Sequence, residues 1–225
     1  MLRIMLDTDR LCTSEALIGR ICARAGEGVS GQILIVPEQY SHTAERALCR
    51  AGGDTISRYA EVLSFTRLAS RLFSIYGGVC EEYLDKGGRL LSVYLAAEQV
   101  RPQLKYYAAV STKPEFLQRL GAAMEEFLSC CLAPEALREA SSSVSGQFAQ
   151  KLEELAILYE SYLSVCKSGR QDPVTRLQRA QALLQETDFA SEHIFYLDGF
   201  ADFTAVERQI LSELLRRSPE VELAL

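Results

Sequence analysis

The turn Leu6-Asp7-Thr8-Asp9-Arg10-Leu11-Cys12-Thr13-Ser14 follows a short apolar run and leads into a helical pattern. In a parallel nucleotide-binding sheet, phosphates sit at this strand-to-helix turn. Glycines let backbone amides curl round them, a Lys reaches them, and a Ser or Thr holds magnesium. This turn has neither glycine nor lysine. Asp7 and Asp9 would each repel a triphosphate by roughly 1 kcal/mol even at high effective dielectric. Ser14 alone does not replace the missing groups. The site therefore reads as degenerate at Asp7, Thr13 and Ser14, with no nucleotide-binding residue assigned.

Other candidate chemistry is weaker still. Asp198 stands at a strand end, where a magnesium-binding carboxylate would sit, but Asp198-Gly199 also reads as an ordinary turn. Glu207 could activate a water, but Thr204-Ala-Val-Glu207 is a capping-box pattern. His42, in Tyr40-Ser41-His42-Thr43-Ala44-Glu45, suggests a Ser/His/Glu site; helix capping by Ser41 is the simpler reading. The seven cysteines contain no C-x-x-C, and Cys130-Cys131 are adjacent. They read as mostly buried free thiols in a reduced, cytoplasmic protein. No catalytic residue and no metal ligand is assigned.

A set of polar and aromatic residues remains at strand ends. Glu38, Gln39, Tyr40 and Ser41 follow one strand pattern. Ser64, Phe65, Thr66, Arg67 and Arg71 follow another, and Phe200, Asp202 and Phe203 a third. In an open α/β sheet such ends converge on one edge. Gln and Arg hydrogen-bond base edges, and Phe stacks on bases. The set therefore admits a base-binding reading, which residue types alone leave open. The competing reading makes Phe65 and Phe203 core and Arg67 half of a surface ion pair.

The elements that must position these residues follow from periodicity. Strands are expected at 2–6, 32–36, 193–197 and 221–225, with an extended stretch at 55–63. Gln32–Val36 is a continuous branched apolar run, as a sheet covered on both faces requires. Helices are expected near 14–26, capped by Thr13 or Ser14, and near 42–50, capped by Ser41. Ser64 caps a third, running to about Tyr76. From Gly87 to about Gln185 strand patterning vanishes. Helices are expected there near 87–100, 115–130, 134–142, 147–168 and 173–186, with Pro114, Pro134 and Pro173 in their first turns. Ser141–Gly146 reads as a flexible connection. Thr204 opens a last helix over 205–217.

Strands alternating with helices and lacking hairpin turns imply a parallel sheet. The expected fold is an α/β core from 1–86 and 187–225, interrupted by an all-helical insert at 87–186. A strand on which the chain stops reads as a cut from a longer protein. The 225 residues suffice for a real core, and 24% charged residues with ample aliphatics exclude a disordered chain. The net charge of -6 argues against a globally basic nucleic-acid binder, though not against a local basic track. No apolar run is long enough to span a bilayer. Asp7 and Asp9 stand where a signal peptide would be apolar.

At these residues the sequence resembles a known family. Ile33-Leu-Ile-Val-Pro-Glu-Gln-Tyr-Ser-His-Thr-Ala-Glu-Arg-Ala-Leu48 and Glu61-Val-Leu-Ser-Phe-Thr-Arg-Leu-Ala-Ser-Arg-Leu-Phe73 resemble segments of the AddB-type subunit of bacterial ATP-dependent helicase–nucleases. Phe127–Leu137 and Tyr196-Leu-Asp-Gly-Phe-Ala-Asp-Phe-Thr-Ala-Val-Glu207 do so too, in matching order. The resemblance implies a P-loop NTPase-like, superfamily 1 helicase core of the UvrD type with a helical insertion subdomain. It implies recombinational repair of double-strand ends, an AddA-type motor and nuclease partner in a heterodimer, and single-stranded and duplex-end DNA as ligands. It puts Gln39, Ser41, Phe65, Arg67 and Phe203 on a strand-recognition surface. The family's iron–sulfur cluster and nuclease magnesium lie in later domains, so no cofactor is expected here. Some members carry a Gly- and Lys-bearing P-loop where this chain has Asp7–Ser14, so ATP binding does not carry over.

Three readings compete. The first is a non-motor, DNA-handling domain, and the second an active ATPase. The third is a scaffold that docks the motor subunit without touching DNA.

Overall fold

The computed structural model describes residues 1–5, 10–77, 83–168 and 172–224. The chain divides into two compact units: Met1–Val79 with Leu177–Leu225, and Cys80–Arg176.

The first unit is built on β1 (Leu2–Met5), β2 (Gln32–Ile35), β3 (Ala60–Leu63), β4 (Ile194–Leu197) and β5 (Val221–Ala224). All ladders are parallel and the order is β1-β5-β4-β2-β3. Four helices connect them: α1 (Arg10–Gly26), α2 (Ser41–Gly52), α3 (Phe65–Tyr76) and α9 (Ala205–Arg217). Right-handed crossovers put α1 and α2 on one face, α3 and α9 on the other. Every residue of β2 is buried, because this central strand has helices on both sides. Leu17 and Ile21 of α1 and Leu48 of α2 pack with Leu34, Val36, Val62 and Tyr196. Each fully buried side chain of this kind contributes about 1.5–3 kcal/mol.

That core also holds an ionic cluster. Glu222 of β5 is fully buried, with Arg20 at 2.9 Å, Arg24 at 3.3 Å and Arg3 at 3.7 Å. Arg24 also bonds Glu220 at 2.7 Å and the Tyr196 hydroxyl at 2.8 Å, and that hydroxyl donates to Gln32 at 2.9 Å. Burial pushes the Tyr196 hydroxyl up to about 12. The cluster ties α1 to four strands, through Arg3 of β1, Gln32 of β2, Tyr196 of β4 and Glu222 of β5. Removing one partner would leave a buried charge uncompensated, at about 3–5 kcal/mol.

The second unit contains α4 (Lys86–Val100), α5 (Pro114–Ser129), α6 (Pro134–Ser142) and α7 (Gly146–Ser168). α7 supplies much of its core: Ala156, Tyr159, Tyr162 and Cys166 pack with Val93, Leu117, Leu120 and Met124. Asp172 closes the unit. It accepts two bonds of 2.9 Å from Arg89 and one of 2.6 Å from Tyr162. α8 (Thr175–Glu186) follows.

Six local expectations need correction. Of the six described cysteines only Cys166 is buried, while Cys12, Cys49 and Cys130 are exposed, so the thiols are not mostly core. α1 begins at Arg10, so Thr13 and Ser14 lie inside it and cap nothing. Thr13 shares one stripe with Leu17 and Ile21 and is buried with them. Within 55–63 only Ala60–Leu63 is strand. Ile56–Arg58 form a 3-10 turn that drives Ile56 into the core, so close that a Cβ on Gly52 would meet it at 2.7 Å. Ser41 is the first residue of α2, not its cap, because Glu38–Tyr40 already form a helical turn. Pro173 precedes α8 rather than standing in its first turn. The serine run is a connection only in part: Ser141 and Ser142 end α6, both donating to the Arg138 carbonyl, at 2.8 and 3.0 Å, residues 143–145 join the helices, and Gly146 opens α7.

Candidate functional site

β4, β2 and β3 are neighbours, and Ile35 is level with both Leu63 and Leu197. Two further bonds carry the ladder past the strands, Val36 N–H to the Leu63 carbonyl at 2.9 Å and Asp198 N–H to the Ile35 carbonyl at 3.1 Å. The three segments that follow therefore emerge side by side. Each has a local reason to turn there. Pro37 ends β2, the Ser64 hydroxyl caps α3 by accepting from Arg67 N–H at 3.2 Å, and Gly199 takes φ +80° after Asp198. A Cβ at Gly199 would stand 3.4 Å from the Pro37 ring.

This edge brings the candidate residues into one neighbourhood, in different environments. Gln39 is exposed in its 3-10 turn. Ser41 is buried, and its hydroxyl has no hydrogen-bond partner among the described residues. Phe65 is 4% exposed. Its ring centroid lies 5.4 Å from Phe200 and 6.3 Å from Phe203, and Phe200 stacks on Phe203 at 4.8 Å. Phe203 is half-buried. Phe65 thus supports the loop after β4, while Phe203 keeps part of its ring at the surface. Arg67 is exposed and lies 2.5 Å from the Glu45 carboxylate. The Ser64 hydroxyl also donates to Glu38.

The tertiary partners of these residues have no local sequence signal. Glu45, which the local pattern sets beside His42, instead bonds Arg67, 22 residues away. Arg208, on α9, holds the loop after β4 by donating to the Phe203 carbonyl at 3.0 Å. Glu207 forms the capping box: Thr204 N–H donates to its carboxylate at 2.8 Å, and its own N–H donates to Thr204 Oγ1 at 3.3 Å. The edge is more acidic than basic. Among the described residues, the carboxylates Glu38, Glu45, Asp198, Asp202 and Glu207 gather there with Arg67 and Arg208, the latter 4.0 Å from Asp202.

The topology marks one crevice on this edge. The chain leaves β2 toward β3 and leaves β4 toward β5, so the sheet's switch point lies between β2 and β4. A cleft of about 400 Å³ lies there, lined by Ser14, Glu15, Ile18, Leu34, Val36, Tyr40, Thr43, Ala44, Ala47, Asp198 and Gly199. None of these carries a positive charge. Asp7 lies outside the described residues, Thr13 is buried within α1, and Ser14 lines the cleft. Among the described residues no three His, Cys, Asp or Glu side chains converge as a metal needs. No described helix is long and apolar enough to cross a membrane.

Comparison with known proteins adds an independent finding. The family model described as "ADDB, N-terminal" matches residues 13–225. Curated relatives, each named as the B subunit of an ATP-dependent helicase/deoxyribonuclease, are similar over most of the chain. That of Caldanaerobacter subterraneus subsp. tengcongensis is 30% identical over 198 residues, covering 86% of this chain and 17% of the relative. That of Thermoanaerobacter sp. (strain X514) is 28% identical over 194 residues, with the same coverage. That of Acetivibrio thermocellus is 26% identical over 217 residues, covering 96% of this chain and 19% of the relative. The chain thus spans less than a fifth of the length of these relatives.

Proposed function

This chain belongs to the ADDB N-terminal family, and from that premise we propose that it is a non-motor, single-strand-binding domain of the AddB-type subunit of an ATP-dependent helicase/deoxyribonuclease. The whole protein would process double-strand DNA ends for recombinational repair, paired with an AddA-type motor subunit. We read the fold as a P-loop NTPase-like, superfamily 1 helicase core. The all-parallel sheet and the switch point between β2 and β4 support that reading.

The observation that carries strand binding is the side-by-side emergence of the segments after β2, β3 and β4. It gathers the Gln39 amide, the Arg67 guanidinium and part of the Phe203 ring on one edge. These groups suit base edges and base faces. The acidic surroundings suit phosphates poorly, so the contact is to bases, with at most one or two phosphate contacts through Arg67 and Arg208. The non-motor role rests on the turn Asp7–Ser14, which lacks the glycines and lysine that cradle a triphosphate.

A fluorescence titration of a labelled single-stranded oligonucleotide at two salt concentrations tests the reading. Binding with a shallow salt slope, about one or two counterions, is expected. No binding, by the 225-residue chain or by the complete heterodimer, leaves the domain as a scaffold for the motor subunit.

A further inference from the structure

The cleft at the switch point has a chemistry that strand binding does not use. Its floor and walls are apolar, formed by Ile18, Leu34, Val36, Ala44 and Ala47. Two carboxylates, Glu15 from α1 and Asp198 from the end of β4, stand on its lining. Neither has a hydrogen-bonded or ion-paired cation among the described residues. Tyr40, 46% exposed, adds an aromatic ring, and no lining residue is basic.

We propose that this cleft is a docking site for the cationic side chain of a partner protein, an Arg or Lys whose methylene stem lies on the apolar floor and whose head meets Glu15 and Asp198. Charge complementarity selects the occupant. An anion would face two carboxylates and no counter-charge among the described lining residues, while a neutral apolar group would use the floor and gain nothing from either carboxylate. A guanidinium or ammonium on an aliphatic stem satisfies both halves of the lining, because such side chains bury their stems along apolar surface and keep the charge at a polar rim. Tyr40 offers the cation a π-face. Glu15, Tyr40 and Thr43 are exposed, so the cleft opens to solvent and a side chain projecting from a larger surface can enter it. At about 400 Å³ the cleft falls within the range of ligand sites. The inference stands apart from strand binding at the edge, since it uses neither Gln39, Arg67 nor Phe203.

The test uses the isotope-labelled 225-residue chain and a capped pentapeptide, Gly-Gly-Arg-Gly-Gly. A citrulline version, isosteric but uncharged, and free agmatine serve as comparators. The Arg peptide is expected to shift the methyl signals of Ala44 and Ala47. The citrulline peptide should bind about tenfold more weakly or worse, and so should the Arg peptide with a Glu15→Gln, Asp198→Asn variant whose circular dichroism is unchanged. Equal binding of the citrulline peptide, or no shift with the Arg peptide at millimolar concentration, overturns the proposal. So does agmatine binding about tenfold tighter than the peptide, which would assign the cleft to a free polyamine.

Discussion

The Arg67 guanidinium lies 2.5 Å from the Glu45 carboxylate, and the pair joins the first turn of α3 to α2. Both side chains are well exposed, at 44% and 39%, so the pair contributes only about 0.2–1 kcal/mol to stability. A DNA strand that uses Arg67 must compete with Glu45. Glu45→Gln should therefore tighten binding of a single-stranded oligonucleotide a few-fold in the complete heterodimer. Arg67→Ala should weaken it by about 1–3 kcal/mol and relax preference at one position if Arg67 reads a base. If neither change appears while the protein stays folded, Arg67 is an ordinary surface residue and the recognition edge loses its main anchor.

ATP with magnesium should give no heat of binding in calorimetry. The cleft at the switch point presents Glu15 and Asp198 and no cation, and Thr13, one of the two hydroxyls nearest the expected phosphate turn, is buried inside α1. A micromolar dissociation constant, or nucleotide seen against Ser14, would restore the ATPase reading.

The second unit has its own acid-sensitive latch. Glu154 of α7 is 3% exposed and accepts from three successive backbone amides, Lys105 at 2.9 Å, Tyr106 at 2.7 Å and Tyr107 at 2.9 Å. Burial alone would push its carboxyl up; the amides and Gln150 outweigh burial and hold it below the usual range. A lowered folded-state value means that this stabilisation is complete above the unfolded carboxylate value, about 4.3, and is lost as pH falls below it. Glu154→Gln should cost about 1.5–3 kcal/mol at neutral pH and flatten the acid limb of the stability curve. Urea melts at pH 7 and pH 4 would show both effects. A variant whose melts match the wild type at both values would mean that the latch is energetically silent.

What could be read from the sequence divides along a physical line. Ile33–Val36 and Phe195–Leu197 were legible as strands because a sheet covered on both faces needs an unbroken apolar run. The capping box at Thr204 and Glu207 was legible because both partners lie within one helical turn. Ile56 misled, since its branched side chain suits a strand but here plugs the core from a 3-10 turn. Thr13 misled in the same way, a cap by type and a buried helix residue by position. That Arg67 forms a surface ion pair was the competing reading, but its partner Glu45, the set of Glu222 with three arginines, and Arg89 with Asp172 were invisible, because each pair is set by packing between segments 20 or more residues apart or, for Arg3 and Glu222, across the whole chain. The five candidate edge residues were gathered from strand ends together with the family resemblance. Sequence could not tell that Phe65 and Phe203, both aromatic and both at strand ends, sit at different depths.

That difference gives the sharpest separation of structure from binding. Phe65 is buried beneath Phe200 and Phe203, so Phe65→Ala should cost about 3–5 kcal/mol and loosen the loop after β4. Phe203 is half-buried and stacked on Phe200 by one face, so Phe203→Ala should cost clearly less stability. On the proposed function its free surface stacks on a base, a contact worth about 1–3 kcal/mol. Phe203→Leu keeps much of the packing but offers no π-face. It should retain near wild-type stability by thermal melting and still lose strand affinity in the heterodimer, with the salt slope unchanged because no phosphate contact is removed. Loss of affinity in step with loss of stability across Phe203→Ala and Phe203→Leu would show that the ring serves only to pack the loop. Strand recognition would then have to come from Gln39 and Arg67 alone.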